Sequence, residues 1–228
     1  MLTLLQHTLC PLSRYVRLML NEYGMEARLV EERFWERRKE FLEVNPAGSI
    51  PVLIADGTPP VPGSSVIAEY VNEIRAPGEN WLMPAEPGER VEVRRLASWF
   101  NDKFHSEVSG PLVTERVFKR HMTLEQGGGP PDTALLRAAR TNIRYHMAYV
   151  GWLVRKRDWL AGERLSLADL AAAAHLSSVD YMGDVPWNED EAAKSWYARV
   201  KSRPSFRPLL ADRLGGIPPA AHYADLDF

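Results

Sequence analysis

"CPLSRYVRLMLNEYG", residues 10–24, decides how the chain is read. Pro11 suits the first turn of a helix, where no amide donor is needed and the fixed φ is already helical. Val16, Met19, Leu20 and Tyr23 then recur at helical spacing, and Gly24 supplies a stop. Just upstream, Leu2 to Gln6 is a short apolar run that reads as a strand. A strand feeding a helix at Cys10 to Ser13 places a thiol or a hydroxyl at a helix amino terminus. There the positive dipole end and the free amides lower a thiol's pKa.

Working outward, Ala27 to Val30 reads as a second strand, Trp35 to Leu42 as a short helix and Pro51 to Ile54 as a third strand. The turn "ADGTPP" (55–60) leads through Val61 into a fourth, and Ser64 to Ile74 forms another helix. The order β-α-β-α-β-β-α implies a mixed sheet with helices on its faces. "APGENWLMPAEPG" (76–88) breaks both periods and reads as a linker, dividing the chain into domains over 1–76 and 89–228. Everything beyond it is helical. Val93, Leu96, Ala97, Phe100 and Phe104 make one stripe, and Leu136, Ala139, Ile143, Met147, Val150 and Val154 make another. The loop "EQGGGPPD" (125–132) lies between them. "SLAD" (166–169) has the form of a capping box opening a helix through Val179, another helix opens near Asn188, and Pro204 opens a short one.

Composition removes several function classes. The 228 residues carry 28 basic and 30 acidic side chains, a net charge of −2, so no global field recruits nucleic acid or an anionic membrane. A single cysteine excludes an intramolecular disulfide and any multi-cysteine metal site, which suits a reducing cytoplasm. The start of the chain has no basic leader, and no stretch approaches the ~18 apolar residues of a membrane span. The chain reads as cytoplasmic. His7, His105, His121, His146, His175 and His222 are scattered without metal-ligand spacing, so no metal site is expected. "GGGPP" is a flexible loop rather than a phosphate cradle.

"CPLSRYVRLMLNEYG", "NPAGSIPVL" (45–53), "GSSVIAEYV" (63–71) and "WLAGERLSLADL" (159–170) resemble, in order and spacing, the landmarks of the glutathione S-transferase superfamily. The resemblance spans nearly the whole chain. It implies a thioredoxin-like amino-terminal domain, a helical carboxy-terminal domain and a cis peptide before Pro51. In cysteine-bearing classes the residue matching Cys10 forms a mixed disulfide with glutathione; in serine-bearing classes a nearby hydroxyl, here Ser13, bonds the thiolate. The resemblance further assigns the Ile50 backbone, beside Pro51, to the cysteinyl part of glutathione, and Ser64, with Ser65 next to it, to the γ-glutamyl carboxylate. One position departs. The family usually has glutamate or glutamine where this chain has Gly63, and losing one charge-assisted hydrogen bond weakens a site by roughly 1.5–3 kcal/mol. The expected site is vestigial: glutathione is not required, although Arg37, Arg38 or Lys39 remain available to its glycine carboxylate, near which Trp35 would lie.

Other features point to interaction. Arg137, Arg140 and Arg144 form a basic ridge opposite the apolar stripe of their helix, either a solvated face or a partner contact. In the tail, "GGIPPAAHYADLDF" (215–228), the apolar residues Tyr223, Leu226 and Phe228 alternate with Asp225 and Asp227. They either pack back on the helical domain or dock into a partner groove. The whole terminus is similar to that of the superfamily's alphaproteobacterial branch of cell-division proteins that bind FtsZ, the bacterial tubulin homologue. That resemblance implies a non-catalytic homodimer, cytoplasmic and at the division site, which binds FtsZ filaments, favours their curvature and promotes constriction. Trp35 joins the arginine ridge and the tail as a candidate contact. The alternative is a glutathione transferase or thiol oxidoreductase using Cys10.

Overall fold

The structure, a computed structural model, describes residues 1–75, 78 and 81–226. Four strands, β1 (Leu2–Gln6), β2 (Ala27–Glu31), β3 (Val52–Ala55) and β4 (Val61–Pro62), form one sheet in the order β2-β1-β3-β4. β1 runs parallel to β2, with Leu4 opposite Leu29, and antiparallel to β3, with Leu4 opposite Leu53. Side-chain alternation then sorts the strands between two cores. Leu4 and Leu53 join the main core with Val16, Met19 and Ile67, whereas Leu5 and Val52 join a second cluster with Phe41 and Cys10. This is the expected thioredoxin-like arrangement, and the Ile50–Pro51 peptide is cis as the family resemblance implied.

Two helices of this domain keep their expected bounds. α1 covers Pro11–Glu22 with Cys10 as its N-cap residue, and Gly24 ends it at φ 64°. The single helix expected over 35–42 is instead a 3₁₀ turn, Phe34–Glu36, followed by α2 (Lys39–Val44). Arg37 takes a left-handed φ of 47° between them. Trp35 and Phe41 are six residues apart and would face different sides of a continuous helix; the break lets both enter the second core. α3 (Ser64–Ile74) begins as expected, with Gly63 at its N-cap position.

α4 (Pro87–Ser98) opens on a proline and passes through a π-helical stretch, Trp99–Ser109, into α5 (Gly110–Arg116). The wider π turn aligns Phe100, Phe104 and Val108, all buried, along one side. α6 (Thr133–Val154) is capped by Asp132, whose carboxylate accepts from the amides of Ala134 at 2.8 Å and Leu135 at 3.2 Å. α7 (Leu167–Tyr181) has all fifteen residues buried and packs against α1, α4 and the π stretch. α8 (Glu191–Lys201) starts three residues later than expected, because Asp190 rather than Asn188 supplies the cap. A 3₁₀ turn at Pro204–Phe206 leads into α9 (Arg207–Leu210). Asp169 is wholly structural in its contacts: it accepts from the amides of Leu160 and Ser166, the Ser166 hydroxyl and Trp196 Nε1, all at 2.9–3.0 Å. Among the described residues no helix is long and apolar enough to cross a membrane, and no three His, Cys, Asp or Glu side chains converge as for a metal.

Candidate functional site

Cys10 stands where the sequence places it, at the amino end of α1, with its carbonyl accepting the Arg14 amide at 2.9 Å. Its thiol is only 6 % exposed. Burial raises the thiol pKa and outweighs the opposing pull of the Ser13 hydroxyl, the Ser13 and Leu12 amides and the Arg14 charge. The direction is therefore opposite to the activation expected from the helix terminus alone. Ser13 is fully buried, and its Oγ has no nitrogen or oxygen partner. The apolar cluster that takes in Cys10 also holds Trp35, Ile50, Phe118, Tyr181 and Tyr223, so side chains from both domains and from the tail close over this end of α1. Trp35 packs within 5.3 Å of Phe118 and 5.8 Å of His7, centroid to centroid, with its Nε1 buried and unpartnered. His7 is 1 % exposed and accepts the Leu9 amide through Nδ1; burial pushes its pKa down to about 4, so it is neutral.

The residues expected to hold glutathione are brought to this region but are poorly open to it. Ile50 is 7 % and Ser64 6 % exposed, while Ser65 faces solvent. Gly63 has φ 87°, a conformation that strains any residue bearing a Cβ, even though nothing lies within 4 Å of where one would point. A glutamate there would have room but not an easy backbone. Arg38 is engaged by Glu32, Lys39 lies 3.9 Å from Glu43, and the Arg37 guanidinium packs over Gly48. Cys10 is thus sealed, and Arg38 and Lys39 each already face a carboxylate.

One turn along α1, the structure builds something the sequence reading missed. Arg14, fully buried, donates from Nε to the Thr8 carbonyl (2.9 Å), from Nη1 to Ser177 Oγ (3.0 Å) and Tyr223 Oη (2.8 Å), and from Nη2 to Asp212 (3.1 Å). Arg17 grips the same Asp212 through two bonds of 2.8 and 2.9 Å. Below it Asp180, buried near the end of α7, accepts from Trp187 Nε1 (2.8 Å) and Tyr197 Oη (3.3 Å), and lies 2.9 Å from His222 and 3.7 Å from Lys201. The Lys201 ammonium donates to the Asp225 carbonyl at 2.6 Å. These groups clasp the sheet domain, the helical domain and the tail together. One signal was available: Asp180 is a lone carboxylate late in "LADLAAAAHLSSVDY", a helix otherwise dominated by small and apolar residues after its cap.

The candidate contact residues lie in different surroundings. Tyr223 is 0 % exposed and donates to the Leu209 carbonyl at 2.9 Å, so it packs back on its own domain. Trp35, at 8 %, is a core residue. Arg140 and Arg144 stay on the surface, paired with Asp184 at 3.0 Å and Glu189 at 3.2 Å, and Arg137 is exposed. Leu226 is 41 % exposed, and Asp225 turns its carbonyl inward. Asp227 and Phe228 lie outside the described residues, as do Ala76, Pro77, Glu79 and Asn80 of the linker.

A mixed four-stranded sheet with its cis proline, followed by an all-helical domain packed on α1, is the glutathione S-transferase fold. The chain belongs to that family: residues 9–74 match its amino-terminal domain and residues 100–204 its carboxy-terminal domain. It is 47% identical over 229 residues to FtsZ-localized protein A of Caulobacter vibrioides, covering 99% of this chain and 98% of that one. Among solved structures, a glutathione S-transferase from Sinorhizobium meliloti 1021 superposes with a TM-score of 0.96 at 50% identity, covering 100% of both chains. FzlA from C. crescentus superposes at 0.90 with 46% identity, covering 100% of this chain and 99% of that one.

Proposed function

We propose that this chain is a non-catalytic member of the glutathione S-transferase family that binds FtsZ filaments as a homodimer, favours their curvature and so promotes constriction at the division site in the cytoplasm. The observation that carries the reading is the 47% identity, sustained over essentially the whole length of both chains, to a protein named FtsZ-localized protein A. The sealed, unactivated Cys10 and the missing side chain at Gly63 support a protein that requires no glutathione. A two-fold dimer presents each binding surface twice, which is a physical route to bridging or bending a polymer. The exposed Leu226 is the described tail residue best placed for such a contact.

The test is co-sedimentation with polymerised FtsZ, run with and without glutathione. Pelleting that is indifferent to glutathione is the expected result, and failure to pellet under both conditions overturns the reading. A competing reading, a transferase or thiol oxidoreductase, is favoured by the position of Cys10 at a helix amino terminus and by the description of the Sinorhizobium protein as a glutathione S-transferase. Retention on glutathione resin with turnover of a chlorodinitrobenzene-type substrate, abolished by Cys10→Ala, would establish it; neither is expected.

A further inference from the structure

A cavity of about 550 Å³ opens between the end of the linker, the first turns of α4 and the loop before α7, a volume typical of sites for small organic molecules. None of its described lining residues belongs to the apolar cluster around Cys10. Leu82, Met83 and Val93, all buried, give it an apolar floor. Trp81 stands in the same wall with its Nε1 buried and without a hydrogen-bond partner. A buried donor left unmade is costly, so an oxygen acceptor brought in by a ligand is favoured here. The Arg90 guanidinium already lies 5.9 Å from the Trp81 ring centroid, so that ring is not waiting for a cation of its own.

The walls are held before any ligand arrives. The Leu82 amide donates to Tyr23 Oη at 3.1 Å, and the Leu82 carbonyl accepts the Leu167 amide at 3.1 Å. In the loop, Trp159 and Gly162 exchange backbone bonds of 2.8 and 3.3 Å, and Asp169 accepts from the amides of Leu160 and Ser166. A site built on segments tied in this way loses little entropy on binding. Its charge is one-sided. Glu86, Glu89 and Glu163 line the cavity at exposed positions, and none of them takes part in a described ion pair. Arg164 is the single cation among the described lining residues, so the rim is negative.

We infer that this cavity is a binding site for a small aromatic amine carrying an oxygen acceptor. The ring covers Leu82, Met83 and Val93, the ammonium group lies among Glu86, Glu89 and Glu163, and the oxygen accepts from Trp81 Nε1. Each part of the ligand answers one feature of the cavity. An anion of the same shape would meet three carboxylates, and a pure hydrocarbon would leave the Trp81 donor unmade. Such binding needs neither Cys10 nor a filament, because none of the residues assigned to either lines the cavity.

The experiment follows the indole N–H resonances of the full chain by NMR during titration with tyramine, the Trp81 signal being assigned by its loss in Trp81→Phe. Tyramine should move that resonance with a Kd of about 1 mM or below. Phenethylamine, which lacks the hydroxyl, should bind several-fold more weakly, and 3-(4-hydroxyphenyl)propionate, with a carboxylate in place of the amine, should leave the resonance unmoved. Combining Glu89→Gln with Glu163→Gln should weaken tyramine about threefold or more. Ala85→Trp should fill the cavity and abolish binding. All three positions are exposed, so thermal unfolding of these variants should match wild type. A Trp81 resonance that tyramine does not move at about 10 mM overturns the inference. So does a carboxylate probe that binds as well as tyramine, or tyramine binding that persists in Ala85→Trp. Phenethylamine binding as tightly as tyramine overturns the role given to Trp81 Nε1.

Discussion

Cys10 and Arg14 lie one turn apart on the same helix and have opposite surroundings. Around Cys10 the polar groups are closed in: a thiol with a raised pKa, a fully buried Ser13 hydroxyl without a nitrogen or oxygen partner and an unpartnered Trp35 indole nitrogen. Around Arg14 all three guanidinium nitrogens donate to acceptors, and the same network reaches Tyr223 and Asp212. The first region has the outline of a reactive site without its openness. The second has no reactive outline, yet it joins three parts of the chain. The contrast teaches that in this fold the polar interior around α1 is organised to hold the domains and the tail in register, while Cys10 at the helix amino terminus is part of the core.

Four measurements would break or sharpen that contrast. The largest effect is expected at Asp180→Ala, which removes a buried carboxylate 3.7 Å from Lys201 that also accepts from Trp187 Nε1 and Tyr197 Oη. Removing one member of a buried charged pair typically costs about 3–5 kcal/mol, read as a lower urea midpoint at unchanged slope. A change below about 1 kcal/mol would mean the clasp is ornamental.

Next comes pH. His7 has a folded pKa of about 4 against 6.5 unfolded, so the unfolded state binds the proton more readily as pH falls. Its contribution is fully present above pH 6.5 and is lost as pH falls through 4, a difference of about 3 kcal/mol. His7→Asn, which keeps an acceptor for the Leu9 amide, should show a shallower loss of stability between pH 7 and 4 than wild type. Parallel pH curves for the two proteins would refute the sealed environment described for His7.

Tyr223→Phe tests the tail's share of the clasp. It strips a hydroxyl bonded to both Arg14 and the Leu209 carbonyl and should cost about 1–3 kcal/mol in urea unfolding. An unchanged midpoint would show the tail contributing packing only. The smallest effect belongs to Ser13→Ala, which deletes a buried hydroxyl that has no oxygen or nitrogen partner. It should leave stability within about 1 kcal/mol of wild type or raise it slightly. A marked loss would reveal a polar partner for Ser13 and return that position to the list of functional groups.

Much of the architecture was legible because it rests on local rules. The spacing of Val16, Met19, Leu20 and Tyr23 defined α1, Pro11 and Gly24 its ends, and the alternation of strand and helix signals the mixed sheet. Where the reading slipped, a tertiary requirement overrode a local one. The break at Arg37 exists so that both Trp35 and Phe41 can reach the second core, and no helical periodicity over 35–42 could anticipate that. The ion pairs of the basic ridge were not legible because Asp184 and Glu189, which neutralise two of its members, come from a distant loop and turn.

The sequence by itself determined the family, the position of Cys10 at the start of α1, the departure at Gly63 and the presence of aromatic anchors in the tail. Tertiary structure alone decided what those residues are able to do. A thiol's pKa depends on whether a helix terminus or its own burial dominates, and burial is set by Trp35, Ile50 and Tyr223, residues up to 213 positions away in the chain. The same holds for Tyr223, whose composition-level promise as a docking anchor was settled by an arginine on the first helix. Local sequence specifies which groups are presented; only the packing of distant segments fixes whether water, a partner or the protein's own core receives them.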